Sequence, residues 1–149
     1  MLVLKRIDIE DARKLIVGAQ EKAVEIGVPM CIAITDESGQ LVAFERMDGG
    51  KVTSTTIAID KAFTAAGAKR ATHEYGVVSQ PGAPAYGINS SIGGRLVVVG
   101  GGLPITVDGE VVGGIGVSSG TPDQDRACAE AGIRLFQDAV ASIEQASDR

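Results

Sequence analysis

The chain has no tryptophan, and its aromatics are only three phenylalanines and two tyrosines, Phe44, Phe63, Tyr75, Tyr86 and Phe136. That is too few, too scattered, for a surface on which nucleobases stack. It has no basic cluster either. Lysine and arginine total 14 against 19 aspartates and glutamates, a net charge of −5. Nucleic-acid binding rests on cations facing phosphates, so no nucleic-acid partner is expected. No apolar run approaches the ~18 residues of a membrane span, and no membrane partner is expected. Cysteine is scarce: Cys31 and Cys128 lie far apart in apolar stretches, the pattern of buried thiols in a reducing compartment. Residues 1–6 run straight into an amphipathic helix without a signal-peptide cleavage pattern, and a cytoplasmic location is the expectation. With a single histidine, His73, the chain offers three scattered Cys or His ligands, short of the four of a structural zinc site.

What is present suits one domain over residues 1–149: the chain is 44% apolar, enough to bury a core. Asp8 reads as an N-cap, with Ala12, Leu15, Ile16, Ala19 and Ala23 at helical spacing and Gly27 and Pro29 as a stop. Residues 30–35 and 41–46 read as a hairpin around the turn chemistry of residues 36–39. A helix capped by Thr53 or Ser54 follows to about Ala66, with Lys61 inside its apolar stripe beside Ile57, Ala58, Ala62 and Ala65. That lysine either snorkels at the stripe's edge or points a cation into a pocket. A short helix over residues 72–78 leads into a loop over 79–94 without periodicity, long for so small a domain. Residues 95–99 read as a strand, and residues 103–107 and 110–117 as a hairpin around Asp108-Gly109. Thr121, Pro122 and Gln124 combine an N-cap, a proline at the first helical position and a capping box. The last helix is expected to run to about Ala141 with Ala127, Cys128, Ala131, Leu135 and Ala139 inward. Hairpin-linked strands make this an α+β domain, a central antiparallel sheet of about five strands covered by helices.

Two motifs tempt and fail. Residues 116–120 fit the G-x-S-x-G nucleophile elbow, but the hydrolase order places a histidine after the serine, and His73 precedes it. The glycines over 114–120 resemble a dinucleotide loop with one residue too many, and no ribose-binding acid on a further strand follows. Asp123 and Asp125, in the first helical turn, would repel a phosphate.

Three clusters exceed what folding alone demands: Arg46-Met-Asp-Gly49, Gly100-Gly-Gly-Leu-Pro104, and residues 113–120 followed by Gln124-Asp125. With Asp36-x-x-Gly39, Lys61-Ala62, Asp108-Gly109 and Asp123-Gln-Asp125 they form an ordered set over residues 8–140. By this set the chain resembles the GlcG/HbpS-like haem-binding family, also found as the C-terminal domain of PduO-type proteins. The resemblance implies a profilin-like three-layer domain, assembly into homo-oligomers, and haem or another small molecule as ligand. It does not fix chemistry, because the family includes haem binders and proteins of catabolic operons. The first helix holds no histidine, where a PduO-type haem domain leads one to look for it.

Arg46, Asp48, Lys61, His73 and Tyr86 are therefore the candidate site. In a binding module, Arg46 and Lys61 meet the anionic groups of a planar ligand, while His73 or a tyrosine such as Tyr86 ligates iron. In the alternative, a small cofactor-independent isomerase or tautomerase, Asp48, Glu74, His73 or Tyr86 moves a proton and Arg46 or Lys61 stabilises an enolate. The plainer expectation for Asp48 is a pair with Arg46. A ligand-free scaffold is the third reading.

Overall fold

The computed structural model describes residues 1–149. Helix α1 (Ile9–Ile26) starts at Asp8, whose carboxylate accepts the Asp11 amide hydrogen while the Asp11 side chain accepts that of Asp8. The helix ends on Gly27 in the left-handed conformation. Strands β1 (Cys31–Asp36) and β2 (Leu41–Arg46) form the first hairpin. Helices α2 (Ser54–Ala68) and α3 (Thr72–Val78) follow, then two single 3-10 turns at Ile88–Ser90 and Ile92–Gly94. Strands β3 (Gly102–Val107) and β4 (Glu110–Ser118) form the second hairpin, and α4 (Pro122–Ser147) closes the chain.

The sheet has four antiparallel strands in the order β2-β1-β4-β3. Both faces are covered. Helices α1 and α4 pack on one side over the main core, which includes Leu15, Ile32, Ile34, Ile105, Ile115, Val117 and Phe136. Helix α2 lies on the other side against Cys31 and Ala33 through Ala58 and Ala62. Its approach to β4 is unusually close: a methyl group on Gly116 would overlap the Ala58 carbonyl and lie 2.5 Å from the Ala62 amide nitrogen. Only a strand without side chains at this point lets α2 sit so low. No helix is long and apolar enough to cross a membrane.

The α+β class stands, but the sheet has four strands rather than about five. Residues 95–99 form no strand because other partners take their backbone groups. The Thr64 hydroxyl oxygen accepts the Val97 amide hydrogen (3.0 Å), and the Arg95 carbonyl lies 3.2 Å from it. Arg95 is fixed to α2 as well, with its guanidinium 3.8 Å from the Phe63 ring centroid and 2.9 Å from Asp60. Neither Thr53 nor Ser54 caps α2 through its side chain. In α4 the buried stripe is Asp125, Cys128, Ala129, Gly132 and Phe136, and the helix continues to Ser147. Of the residues expected inward, Cys128 is buried and Ala127, Ala131, Leu135 and Ala139 are half-buried. The stripe is rotated because an aspartate and a glycine, which hydropathy places outside, face in.

Replacing Gly116 with alanine should therefore force α2 off the sheet. We expect it to destabilise the protein by about 1–3 kcal/mol or more in urea unfolding, as overpacking of a tight core does; an unchanged midpoint would contradict the contact.

Candidate functional site

Lys61 sits on the face of α2 that meets β4, and it is 1% exposed. Its ammonium donates to Asp125 Oδ2 and to the Val117 carbonyl, both at 2.9 Å. Asp125 is 2% exposed, and its other oxygen accepts the Gly120 amide hydrogen at 2.9 Å. A buried ion pair of this kind is tolerable only when further hydrogen bonds support it, and the Val117 carbonyl and the Gly120 amide do so here. Burial holds the Lys61 ammonium below the ordinary lysine range, and the neighbouring charge and hydrogen bond of Asp125 offset part of that effect. Lys61 neither snorkels nor reaches into a pocket. It is sealed.

The turn between β4 and α4 is closed in the same way. Thr121 and Gln124 form the capping box. Ser119 lies at φ +115°, outside the region that residues with side chains usually adopt, and its hydroxyl accepts the Lys51 amide hydrogen at 3.0 Å. Ser118 is buried opposite Cys31 in the β1–β4 register, not at the apex of an exposed turn. Burial raises the Cys31 thiol, and burial beside the Asp125 charge pushes Cys128 up to about 11. Both are inert thiols at neutral pH.

The remaining candidates lie elsewhere. Arg46, the last residue of β2, and Asp48 just after it are exposed, and no ion pair joins them to each other or to Lys61. His73 is half-buried on α3, with Nδ1 enclosed and without a hydrogen-bond partner. Tyr86 is 70% exposed. The loop that carries it folds back on α3 through a hydrogen bond from the Ala85 amide to the Val78 carbonyl (2.9 Å), which keeps Tyr86 in the same unit as His73. Val77 on α3, Ile92 on the second 3-10 turn and Val99 before β3 are also exposed apolar side chains. Ile92 stands out there: it is a β-branched residue at φ +55°, a left-handed conformation such side chains rarely take. The structure thus places His73 on α3 and Tyr86 on the loop that follows it, and joins neither Arg46 nor Asp48 to Lys61 by an ion pair.

Asp125 is the residue that sequence reasoning passes over as an ordinary acid at a helix start. The one signal was Lys61 within an apolar stripe; which acid meets it is set by the fold, where Asp125 begins the inward-facing row Asp125, Cys128, Ala129, Gly132. No group of three or more His, Cys, Asp or Glu side chains is placed to hold a metal ion.

Residues 7–134 match the model of a family described as haem degrading protein HbpS-like. The chain belongs to the HbpS-like family. A relative from Citrobacter freundii, described as an uncharacterized 15.0 kDa protein in the dhaT-dhaS intergenic region, is 39% identical over 132 residues, covering 89% of this chain and 93% of its own. Klebsiella pneumoniae ORFY has the same fold, with a TM-score of 0.90 at 32% identity over 92% of this chain and 94% of its own. The PduOC:haem complex follows, with a TM-score of 0.84 at 36% identity over 87% of this chain and 94% of that one. HbpS-like membership thus confirms the resemblance carried by the ordered motifs, several of which the structure explains by packing. Lys61-Ala62, Gly116 and Asp125 all belong to the contact of α2 with β4 and α4.

Removing the acid should expose the cost of the sealed lysine. Asp125→Asn is expected to destabilise the fold by about 3–5 kcal/mol, and a Lys61→Met/Asp125→Leu pair to recover much of that. A lysine whose folded pKa lies below its unfolded value gains stability as pH rises toward the unfolded pKa, because the unfolded chain holds the proton more tightly. The variant deepens that depression, so its deficit in chemical denaturation should narrow between about pH 7 and pH 10. A deficit that widens over this range would refute the assignment.

Proposed function

We propose that this HbpS-like protein is a self-associating small-molecule binder and that its ligand is haem. The observation that carries this is the close similarity to PduOC, a protein whose structure is that of a haem complex. The ligand face we assign is the unit of α3 and the loop behind it. Its donor chemistry fits haem: a phenol and an imidazole are both side chains that hold haem iron, and Val77, Ile92 and Val99 offer apolar surface for the macrocycle. His73 or Tyr86 would hold the iron of haem, were it bound. An imidazole that ligates through Nε2 keeps its proton on Nδ1 and needs an acceptor there. The enclosed Nδ1 of His73 has none. Tyr86, exposed on the loop, is the better donor, and His73 lines the site. Arg46 and Asp48 stand apart from this face, and Lys61 serves the core.

The isomerase reading fares worse. Of its two cations only Arg46 is left to meet an enolate, since Lys61 is committed to Asp125 and the Val117 carbonyl. A cytoplasmic setting accords with two unpaired, buried cysteines.

Titration of the full chain with haemin is expected to give a Soret band that saturates at one equivalent. In Tyr86→Phe the affinity should fall by about tenfold or more (~1.4 kcal/mol), with the circular dichroism of the fold unchanged, while His73→Ala has the smaller effect. Absence of saturation would overturn the haem reading; loss in His73→Ala with full binding by Tyr86→Phe would overturn the choice of ligand.

A further inference from the structure

Residues 92–94 wind left-handed. Ile92, Gly93 and Gly94 lie at φ +55°, +63° and +82°, between Ser91 at −73° and Arg95 at −76°. A chain of L-residues visits this region singly, and a β-branched side chain at the first of three such positions carries a steric cost. Strain of this kind persists where the surroundings enforce it. Here they do not. Ile92 is 57% exposed, a methyl group on Gly93 or Gly94 would meet nothing within 4 Å, and no residue over 86–94 is buried. Every hydrogen bond of residues 86–94 goes to a residue within 83–95.

The restraint comes from the two ends instead. Arg95, directly after the turn, is held three ways on α2. Its guanidinium lies 2.9 Å from Asp60 and 3.8 Å from the Phe63 ring centroid, and its carbonyl 3.2 Å from the Thr64 hydroxyl. At the other end the Ala85 amide is tied to the Val78 carbonyl, and Gly87 follows at φ +84°. Residues 88–92 are therefore a strap slung between two glycine pivots, Gly87 and Gly93-Gly94. Because Arg95 is clamped, any return of residues 92–94 to the ordinary backbone regions must be taken up by rotation of the strap.

We infer that this strap is sprung and closes over the ligand held beside Tyr86, the left-handed turn relaxing as it swings. Tyr86 stands at the strap's base, next to Gly87, and Ile88 and Ile92 give the strap an apolar face suited to a flat ring system. A ligand shifts such an equilibrium only by binding one state better than the other. Relief of the strain at Ile92 lowers the cost of reaching the closed state. What the strap closes upon rests on the haem reading; the spring itself does not.

Relaxation dispersion on the ligand-free full chain reads the spring, and haemin titration reads the closure. Asparagine enters the left-handed region far more easily than isoleucine does, whereas valine shares the branched side chain. Ile92→Asn should lower the population of the swung strap by about fivefold or more and weaken haemin binding by a similar factor. Ile92→Val should match the unmodified chain in both. Gly93→Ala adds strain without touching a neighbour, so it should raise that population and tighten haemin binding, a change of sign that loss of an Ile92 contact would not produce. Conformational exchange over residues 88–95 that is absent from the unmodified chain, or indifferent to Ile92→Asn, would overturn the spring whether or not haem binds. Equal haemin affinity in all three variants would overturn the closure. A chain that takes up no haemin yet shows exchange sensitive to asparagine would overturn the haem reading and uphold the spring.

Discussion

The contact between one lysine and one aspartate organises this fold. Lys61 comes from α2 and Asp125 from α4, helices on opposite sides of the sheet, and the third partner is the Val117 carbonyl of β4 between them. A single buried ammonium therefore ties all three layers at the end of β4. The arrangement has a geometric condition: α2 must lie very low on β4, and the bare backbone of Gly116 meets it. It has an electrostatic condition as well, since neither charge could remain there without the other. The Gly120 amide on the second carboxylate oxygen then fixes the entry to α4. The closed turn that results leaves no room for an anion at that helix start, which is why a glycine-rich run between strand and helix here is architecture and not a phosphate cradle.

Much of the fold was legible where the signal is local. Asp8 and Gly27 bracket α1, Asp108-Gly109 turns the second hairpin, and Thr121, Pro122 and Gln124 start α4, each by chemistry complete within a few residues. The misses are all long-range. Residues 95–99 have the composition of a strand, but Thr64, about thirty residues away, takes their hydrogen bonds. The inward face of α4 was misjudged because Asp125 is buried by a lysine 64 positions earlier. The same pair explains the candidate site. Lys61 was singled out correctly as an odd residue in an apolar stripe, yet its partner could not be read from spacing, and without the partner its role as a structural cation was hidden.

Family membership and site chemistry separate cleanly in this molecule. Three of the ordered motifs, at Lys61-Ala62, residues 113–120 and Asp125, build the α2–β4–α4 contact, so they report the fold. The unit of α3 and its loop, where His73 and Tyr86 reside, is held by few features of that set. Thr72 is the chief exception: its buried hydroxyl accepts the Gly102 amide hydrogen at 2.9 Å and so secures the unit to the start of β3. A scaffold closed by its core contacts, with its loop outside them, can change its ligand without losing its shape.

Pro104 lies on β3, which has a neighbour on one side only. Proline brings no amide hydrogen to a ladder and is at home at the rim of a sheet. A foreign strand laid along this rim would find a missing rung near its middle. This rim is thereby protected from growing sideways into fibrils or continuous ribbons, a hazard for any uncovered strand.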